Sequence, residues 1–366
     1  MDRKTPSAHV NASRVVIIGS GFGGSVTASR LTEAGFDVTI LERGPWRDTL
    51  PVKNAGIKAR KVLPRSGGMF SVLRSINLPV GPKKGFTLNK NGFLDLFITP
   101  KIKVVCTSNV GGGSHIWGAV MVTAPEGFWN DRAEGLSDDI MAEHYQTTRR
   151  ELAATYPEDS SNIPNATSHS WNDKPFFTPL KEDEIPDMGI LFPDNEQEIK
   201  RKADHNGILR EEIHYHQFNG KFGSPNASKS TVDALYLLPA LQKGLTIKDS
   251  HLVKDVRRMD SGAYRVYARD LKNGRDQNIE ADIVIVAAGT MNTMRLLMAS
   301  RETGGLGSMP ALGSGFGTNG DCVAKWQVND TPARDGCLGT PVHGRVKING
   351  YEEGLYVLLA GAETPP

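Results

Sequence analysis

The stretch "VVIIGSGFGGSVTASRLTEAGFDVTILERG", Val15 to Gly44, decides the fold. The apolar run Arg14–Ile18 ends at a glycine, as a buried parallel strand does. Ser25–Ala34 holds helix formers with an apolar face, and Gly35 stops it. Phe36–Leu41 reads as a second strand, closed by the acid Glu42. Between strand and helix, Gly19, Gly21 and Gly24 fit the spacing GxGxxG. Each glycine has its own physical role. Gly19 turns the chain tightly, Gly21 lets backbone N–H groups approach a pyrophosphate, and Gly24 lets helix and strand pack closely. The helix N-terminus then faces the phosphates with its positive end. An acid about 20 residues on accepts hydrogen bonds from ribose hydroxyls and repels a 2′-phosphate. The turn Gly19, Ser20, Gly21, Phe22, Gly23, Gly24, together with Glu42, is therefore expected to hold a dinucleotide other than NADP. This motif alone does not separate FAD from NAD.

The rest of the composition narrows the class. The chain has 366 residues, 39% hydrophobic and 23% charged, which suits a globular α/β protein of two domains or one interrupted domain. A net charge of +2 provides no field for nucleic acid or an anionic membrane. The basic run "KARKVLPR" reads as a solvated loop. The three cysteines, Cys106, Cys322 and Cys337, show neither CxxC nor zinc spacing and suit a reduced, cytoplasmic protein. No apolar run reaches the roughly 18 residues of a membrane span, and the polar N-terminus lacks a signal-peptide core.

Further along, Pro45–Pro100 is rich in Gly, Pro, Lys and Asn and is expected to form long loops with short elements. Helices are expected near Ser137–Tyr156, behind the N-cap-like "LSDD", and over "SKSTVDALYLLPALQKG". "ILREEIHYHQF" reads as a strand on or beside which Arg210, Glu211 and Glu212 are solvated charges, and Asn273–Gly274 as a hairpin turn. "ADIVIVAAG" followed by "MNTMRLLMAS" repeats the strand–glycine–helix arrangement.

Three of these segments carry a resemblance. "NVGGGSHIWGAVM", Asn109–Met121, resembles the second flavin-contacting loop of the glucose–methanol–choline (GMC) oxidoreductases. "ADIVIVAAGTMNTMRLLMAS" resembles their strand–glycine–helix return to FAD, and "GSGFGTNGD" the glycine-rich turn after it. "NGKFGSPNASKSTVDALYLLPALQKGLTI" and "SHLVKDV" are similar in order and spacing to the non-covalent cholesterol-oxidase-like branch. The resemblance implies a Rossmann-like FAD-binding domain and a second α+β substrate domain. The first would comprise residues 1–44, 101–125 and 227–318, the second 45–100, 126–226 and 319–366. It implies that Gly19, Gly21 and Gly24 surround the pyrophosphate, that Glu42 holds the adenosine ribose, and that Val253 meets the adenine through its backbone. It places Gly111, Gly112, Gly113 and Ser114 beneath flavin and pyrophosphate, Trp117 and Gly118 beside the ring, and Gly289 near the pyrophosphate. Trp117 departs from the branch, which carries a small amide there. Members with covalent flavin use a histidine two positions after the loop serine; here that residue is Ile116, so FAD is expected to be non-covalent.

The family's last third, with its HP-type histidine, has no counterpart here, so the C-terminal catalytic part is expected to be missing. His115 is the remaining candidate for a catalytic base. His214 and His216 alternate on one face without a third ligand, so no metal is expected. The reading is an FAD-dependent oxidoreductase that takes hydride from the CH–OH of a small-molecule alcohol, a sterol or other bulky apolar alcohol first, and passes electrons to oxygen or another acceptor. Its rivals are a truncated flavin-binding protein without turnover and an NAD-dependent dehydrogenase.

Overall fold

The computed structural model describes residues 13–61, 72–80, 82, 85–130, 132–154, 177–179, 186–193, 198–213, 224–317, 342–348 and 351–358. The chain divides into two units.

The first unit comprises Met1–Trp46, Ser66–Gly112 and Tyr236–Gly315. Strand β1 (Arg14–Ile18) leads through the glycine turn into α1 (Phe22–Glu33) and back through β2 (Asp37–Glu42). With β10 (Thr246–Asp249) and β14 (Ile283–Val286) they form a parallel sheet in the order β10-β2-β1-β14. Val15, Val16, Ile17 and Ile18 are all nearly fully buried, so both faces of β1 are covered, as a parallel sheet requires. One face packs Val16, Ile18 and Leu41 against Val256, Val266, Ala268 and Ala281 of a three-stranded antiparallel sheet, β11 (His251–Arg258), β12 (Tyr264–Asp270) and β13 (Asp276–Ala281). Leu296 of α5 (Thr290–Glu302) joins that core. Each valine, isoleucine and leucine among them contributes about 1.5–3 kcal/mol on burial. On α1 the buried residues are small, Gly24, Ser25, Ala28, Ser29 and Thr32, which brings the helix close to its neighbours. The expected hairpin at Asn273–Gly274 forms between β12 and β13, with Gly274 at φ +75°.

The elements described within Pro45–Pro100 are short, as expected, but they join into a sheet that the residues did not announce. Strands β3 (Leu73–Asn77), β4 (Phe86–Thr87), β5 (Leu94–Ile98) and β6 (Lys103–Thr107) form a sheet in the order β4-β3-β5-β6. It escapes a hydrophobicity pattern because its buried residues include Arg74, Ser75, Asn77 and Asp95. Asp95 gathers polar groups of several elements: it accepts from Ser75 Oγ, Ser108 Oγ and Arg43 Nη2, each at 2.5 Å. Because β5 and β6 pair along their length and β6 runs into Ser108–Gly112, residues 66–100 lie in the first unit rather than the second. Residues 113–125 and 227–235, by contrast, lie in the second.

The second unit comprises Arg47–Arg65, Gly113–Leu235 and Phe316–Pro366. It contains α2 (Leu50–Asn54), α3 (Asp138–Glu151) and the hairpin β8 (Arg201–Ala203) with β9 (Leu209–Glu211). Ser137 caps α3 by accepting from Ile140 N, the role "LSDD" suggested. A further sheet, of three strands, has the order β16 (Tyr351–Leu358), β15 (Val342–Ile348), β7 (Phe177–Pro179). The helix expected over "SKSTVDALYLLPALQKG" is shorter and irregular. Residues before Val232 are not helical, Asp233–Leu237 is a π-helical turn, and α4 covers only Leu238–Gln242. Pro239 explains the irregularity, since it offers no N–H to continue the α-helical ladder backwards. His214 and His216 lie outside the described residues, as do Cys322 and Cys337. Among the described residues no helix is long and apolar enough to cross a membrane, and no group of three or more His, Cys, Asp or Glu could hold a metal.

Candidate functional site

In the first unit, the sequence motif becomes a cradle built at the C-terminal ends of β1 and β14. Gly19 has φ +100°, and a Cβ there would lie 2.8–2.9 Å from Ala287 C and Ala288 Cα. A Cβ on Gly24 would run into the Gly19 carbonyl, so these two glycines serve close packing. Gly21 differs. It sits at φ −71°, ψ −167° as the N-cap of α1, and no described atom lies within 4 Å of where its Cβ would be. The same openness holds at Gly23 and at Gly289, which at φ +74° is the N-cap of α5. Two helix N-termini thus begin beside open space at the ends of adjacent parallel strands, an arrangement suited to anions. Phe22, the first residue of α1, is partly exposed.

The Asn109–Gly112 turn closes this cradle. Gly112 has φ +52°, and a Cβ there would lie 2.7 Å from Gly21 Cα, so two glycines distant in sequence touch backbone to backbone. Gly111 N donates to Ser20 Oγ at 3.3 Å. Ser20 in turn donates to Glu42 Oε2 through both its N–H (3.0 Å) and its hydroxyl (2.8 Å), while Gly44 N donates to Oε1 at 2.8 Å. Glu42 is 6% exposed. Burial pushes its carboxyl up, and the Gly44 and Ser20 bonds oppose that shift. Val253 lies on β11 at a β-bulge between Val253 and Asp255, and packs on the core that contains Leu41.

In the second unit, Gly113, Ser114, His115, Trp117 and Gly118 follow one another through a 3-10 turn, with Ile116 N and Trp117 N both donating to Gly113 O. Gly118 is exposed and Trp117 half-buried. The Trp117 indole N–H donates to Ser230 O at 2.9 Å, and Gly189 leaves room for the ring, since a Cβ there would lie 2.9 Å from it. Ser114 Oγ accepts from Val232 N at 3.1 Å. His115 is fully buried, its Nε2 3.2 Å from Asp233 Oδ1. Burial pushes Asp233 up, but the His115 charge and hydrogen bonds outweigh it and hold the carboxyl below its ordinary value.

Sequence reading missed three groups here. Lys229, 2% exposed, donates from Nζ to His115 O (2.8 Å) and Trp117 O (3.2 Å), and burial lowers its amine to about 7. Asp233 is the second. Arg210 is the third, and the expectation of solvated charges is corrected for it and for Glu212, which is fully buried and accepts from Lys200 N: Arg210 is 3% exposed, donates to Ala227 O, Ser228 O and Ser230 Oγ, and burial lowers it to about 10. The signal in the residues is slight: a lone lysine among small polar residues in "ASKSTVD", and an arginine in a strand whose apolar neighbours alternate irregularly.

Residues 17–45 match the NAD(P)-binding Rossmann-like domain, and residues 202–318 match the GMC oxidoreductase family. The chain is 25% identical to a cholesterol oxidase of Acinetobacter baumannii, over 84% of this chain and 54% of that protein. It is 26% identical to a 2-methyl-1,2-propanediol dehydrogenase of Mycolicibacterium austroafricanum, over 79% of this chain and 51% of that one. A gluconate 2-dehydrogenase flavoprotein of Pantoea cypripedii is 56% identical over 36 residues, 10% of this chain and 6% of that protein. The chain spans roughly half the length of the two relatives it matches broadly. With a Rossmann-like glycine cradle in its first unit and a GMC match that runs on through Gly289, the chain is similar over residues 202–318 to the GMC oxidoreductases, and more broadly to the cholesterol oxidases.

Proposed function

We propose that the protein binds FAD non-covalently and acts as an oxidoreductase on the CH–OH group of an alcohol. One observation carries the reading: the open cradle in which Gly21 and Gly289 leave space at two helix N-termini while Gly112 rests on Gly21. A pyrophosphate fits such a place, because two helix N-termini begin there beside glycines that leave it open. Glu42, pinned through Ser20 and Gly44, is set to accept from an adenosine ribose hydroxyl, and Val253 to meet the adenine with its backbone. Gly111 and Gly112 in the first unit, and Gly113, Ser114, Trp117 and Gly118 in the second, are the residues the family resemblance assigns to the flavin. Ile116 offers no atom for a covalent flavin link.

Bound FAD would supply the hydride acceptor. The chain's own residues would bind and orient it. The substrate we propose is an apolar alcohol, with a sterol as the first to test, given the cholesterol oxidase relatives; the electrons would pass to oxygen or another acceptor. His115 does not suit the role of catalytic base, since its ring is enclosed in the second unit against Asp233. That enclosure gives weight to a second reading, a flavin-binding protein without turnover.

The test is anaerobic. Protein reconstituted with FAD should be yellow, and an alcohol substrate should bleach the flavin band. A colourless protein that binds NAD would overturn the proposal. A yellow protein that no alcohol bleaches would leave the second reading standing and sink the first.

A further inference from the structure

We infer that Lys229 is a positioning residue: its ammonium sets the backbone of the turn Gly113–Gly118, and with it the plane of Trp117, before any cofactor arrives. This rests on the flavin reading only for why the turn matters; the lock itself is a property of the second unit.

The segment Lys229–Asp233 holds the turn at several points. Lys229 Nζ donates to the carbonyls of His115 and Trp117, at 2.8 and 3.2 Å. Ser230 O accepts from the Trp117 indole, Val232 N donates to Ser114 Oγ, and Asp233 meets His115. Five of the partners, Ser114, His115, Lys229, Ser230 and Asp233, are 2% exposed or less. The segment is itself braced. Arg210 binds Ala227 O, Ser228 O and Ser230 Oγ, and Lys229 bridges Ile190 in the backbone.

The segments that flank this lock also contain strain that something must hold. Ala119 has φ +61° and Ala227 φ +59°, and both are buried. A side chain in that region costs about 1–2 kcal/mol. Ala119 O accepts from Gly189 N, and Gly189 O accepts from Ser230 N, so the strained corner hangs on the same segment. An amine that points two nearby carbonyls (residues 115 and 117) toward itself turns the intervening peptide planes, and therefore their N–H groups, the other way. A neutral isostere would keep the packing and lose that orientation.

Burial places the lysine's own proton equilibrium near neutrality, so the lock should loosen as the amine is neutralised. The titratable and charged groups on the segments packed around it are His115, Asp233, Arg210 on β9, and the Asp187–Arg149 pair beside the 188–190 segment.

The experiment compares wild type with Lys229→Met. Amide hydrogen exchange of the peptide spanning 113–118 is measured on the cofactor-free protein, and the FAD dissociation constant by fluorescence titration at pH 6, 7, 8 and 9. Expected in Lys229→Met are at least tenfold faster exchange in 113–118, an FAD constant raised at least tenfold at pH 6, and loss of the wild type's pH dependence between 6 and 9. Lys229→Arg, which keeps the charge, should restore exchange at pH 9 to the wild type's pH 6 value, once corrected for the intrinsic effect of pH on exchange. Unchanged exchange in 113–118, or an FAD constant within twofold of wild type and with the same pH profile, would overturn the inference. If wild type binds no FAD at all, the functional proposal fails while the exchange comparison still decides the lock. If Lys229→Met does not fold, the same exchange comparison on Lys229→Gln and Lys229→Arg decides it.

Discussion

Gly21→Ser separates folding from ligand binding at one atom. Gly21 already has the extended conformation that any residue adopts at a helix N-cap, and no described atom is within 4 Å of its Cβ direction. α1 has no side-chain cap hydrogen bond. Serine at an N-cap accepts from an N–H of the first turn, worth a few tenths of a kcal/mol, roughly, over glycine. The cofactor-free variant should therefore be as stable as wild type or slightly more so, with a melting temperature within about 2 °C. Binding should go the opposite way. The new side chain occupies the open approach and takes up an N–H that a phosphate would otherwise use. Losing one hydrogen bond to a charged group costs about 1.5–3 kcal/mol. At about 1.4 kcal/mol per tenfold, the FAD dissociation constant should rise on the order of 10- to 100-fold. The assay pairs thermal melting without cofactor with an FAD titration. Gly24→Ser is the control, because its Cβ meets the Gly19 carbonyl and should destabilise the fold by about 1–3 kcal/mol. The reasoning is refuted if Gly21→Ser binds FAD like wild type, or if its cofactor-free form melts more than about 5 °C lower.

Gly112→Ala places a methyl 2.7 Å from Gly21 Cα at φ +52°, so a loss of about 1–3 kcal/mol is expected in urea unfolding; a midpoint equal to wild type would count against the contact. Asp95→Asn leaves Arg43 without its carboxylate at a site where Asp95 is 1% exposed and Arg43 20%. Because Arg43 reaches solvent, the expected cost is about 2–3 kcal/mol, below that of a fully buried pair; thermal melting below pH 8 checks it, and an unchanged midpoint would show the triad of bonds to be incidental. Lys229 titrates near 7 folded against 10.5 unfolded. Below pH 7 the folded chain bears the buried charge in full; between about 7 and 10.5 the unfolded chain holds a proton that the folded one lacks. Stability therefore rises with pH there, by up to about 1.4 kcal/mol per unit. Lys229→Met should remove that slope from urea midpoints measured without cofactor at pH 7, 8 and 9, and parallel profiles in the two proteins would argue against it.

What can be read from residues alone follows a physical divide. β1, α1 and β2 are readable because burial on both faces leaves an unbroken apolar run, and because the turn between them admits only glycine at Gly19 and Gly24. Gly289 is readable for the same reason, as strand, glycine and helix in succession. The β3–β6 sheet is not, since its interior is closed by Asp95 with serines and arginines, and hydrophobic periodicity is blind to polar groups that satisfy each other. Lys229 and Arg210 are hidden for a related reason: their partners are mostly backbone carbonyls, which every residue has. His115 can be found but not interpreted, because the partner that encloses it, Asp233, lies far along the chain. Glu42 reads in the sequence as a ribose acceptor; that it also ties Ser20 to Gly44 comes only from three dimensions.

The touching of Gly21 and Gly112 has a consequence for anyone who would reshape this protein by random mutagenesis. Most crowded pairs forgive a larger residue when the other partner shrinks. Here neither partner has anything left to give up, so no second change at the facing position can compensate the first. Gly112 should stay glycine in every surviving clone, whereas Gly23, with nothing described near it, should accept replacements freely in clones selected for solubility alone.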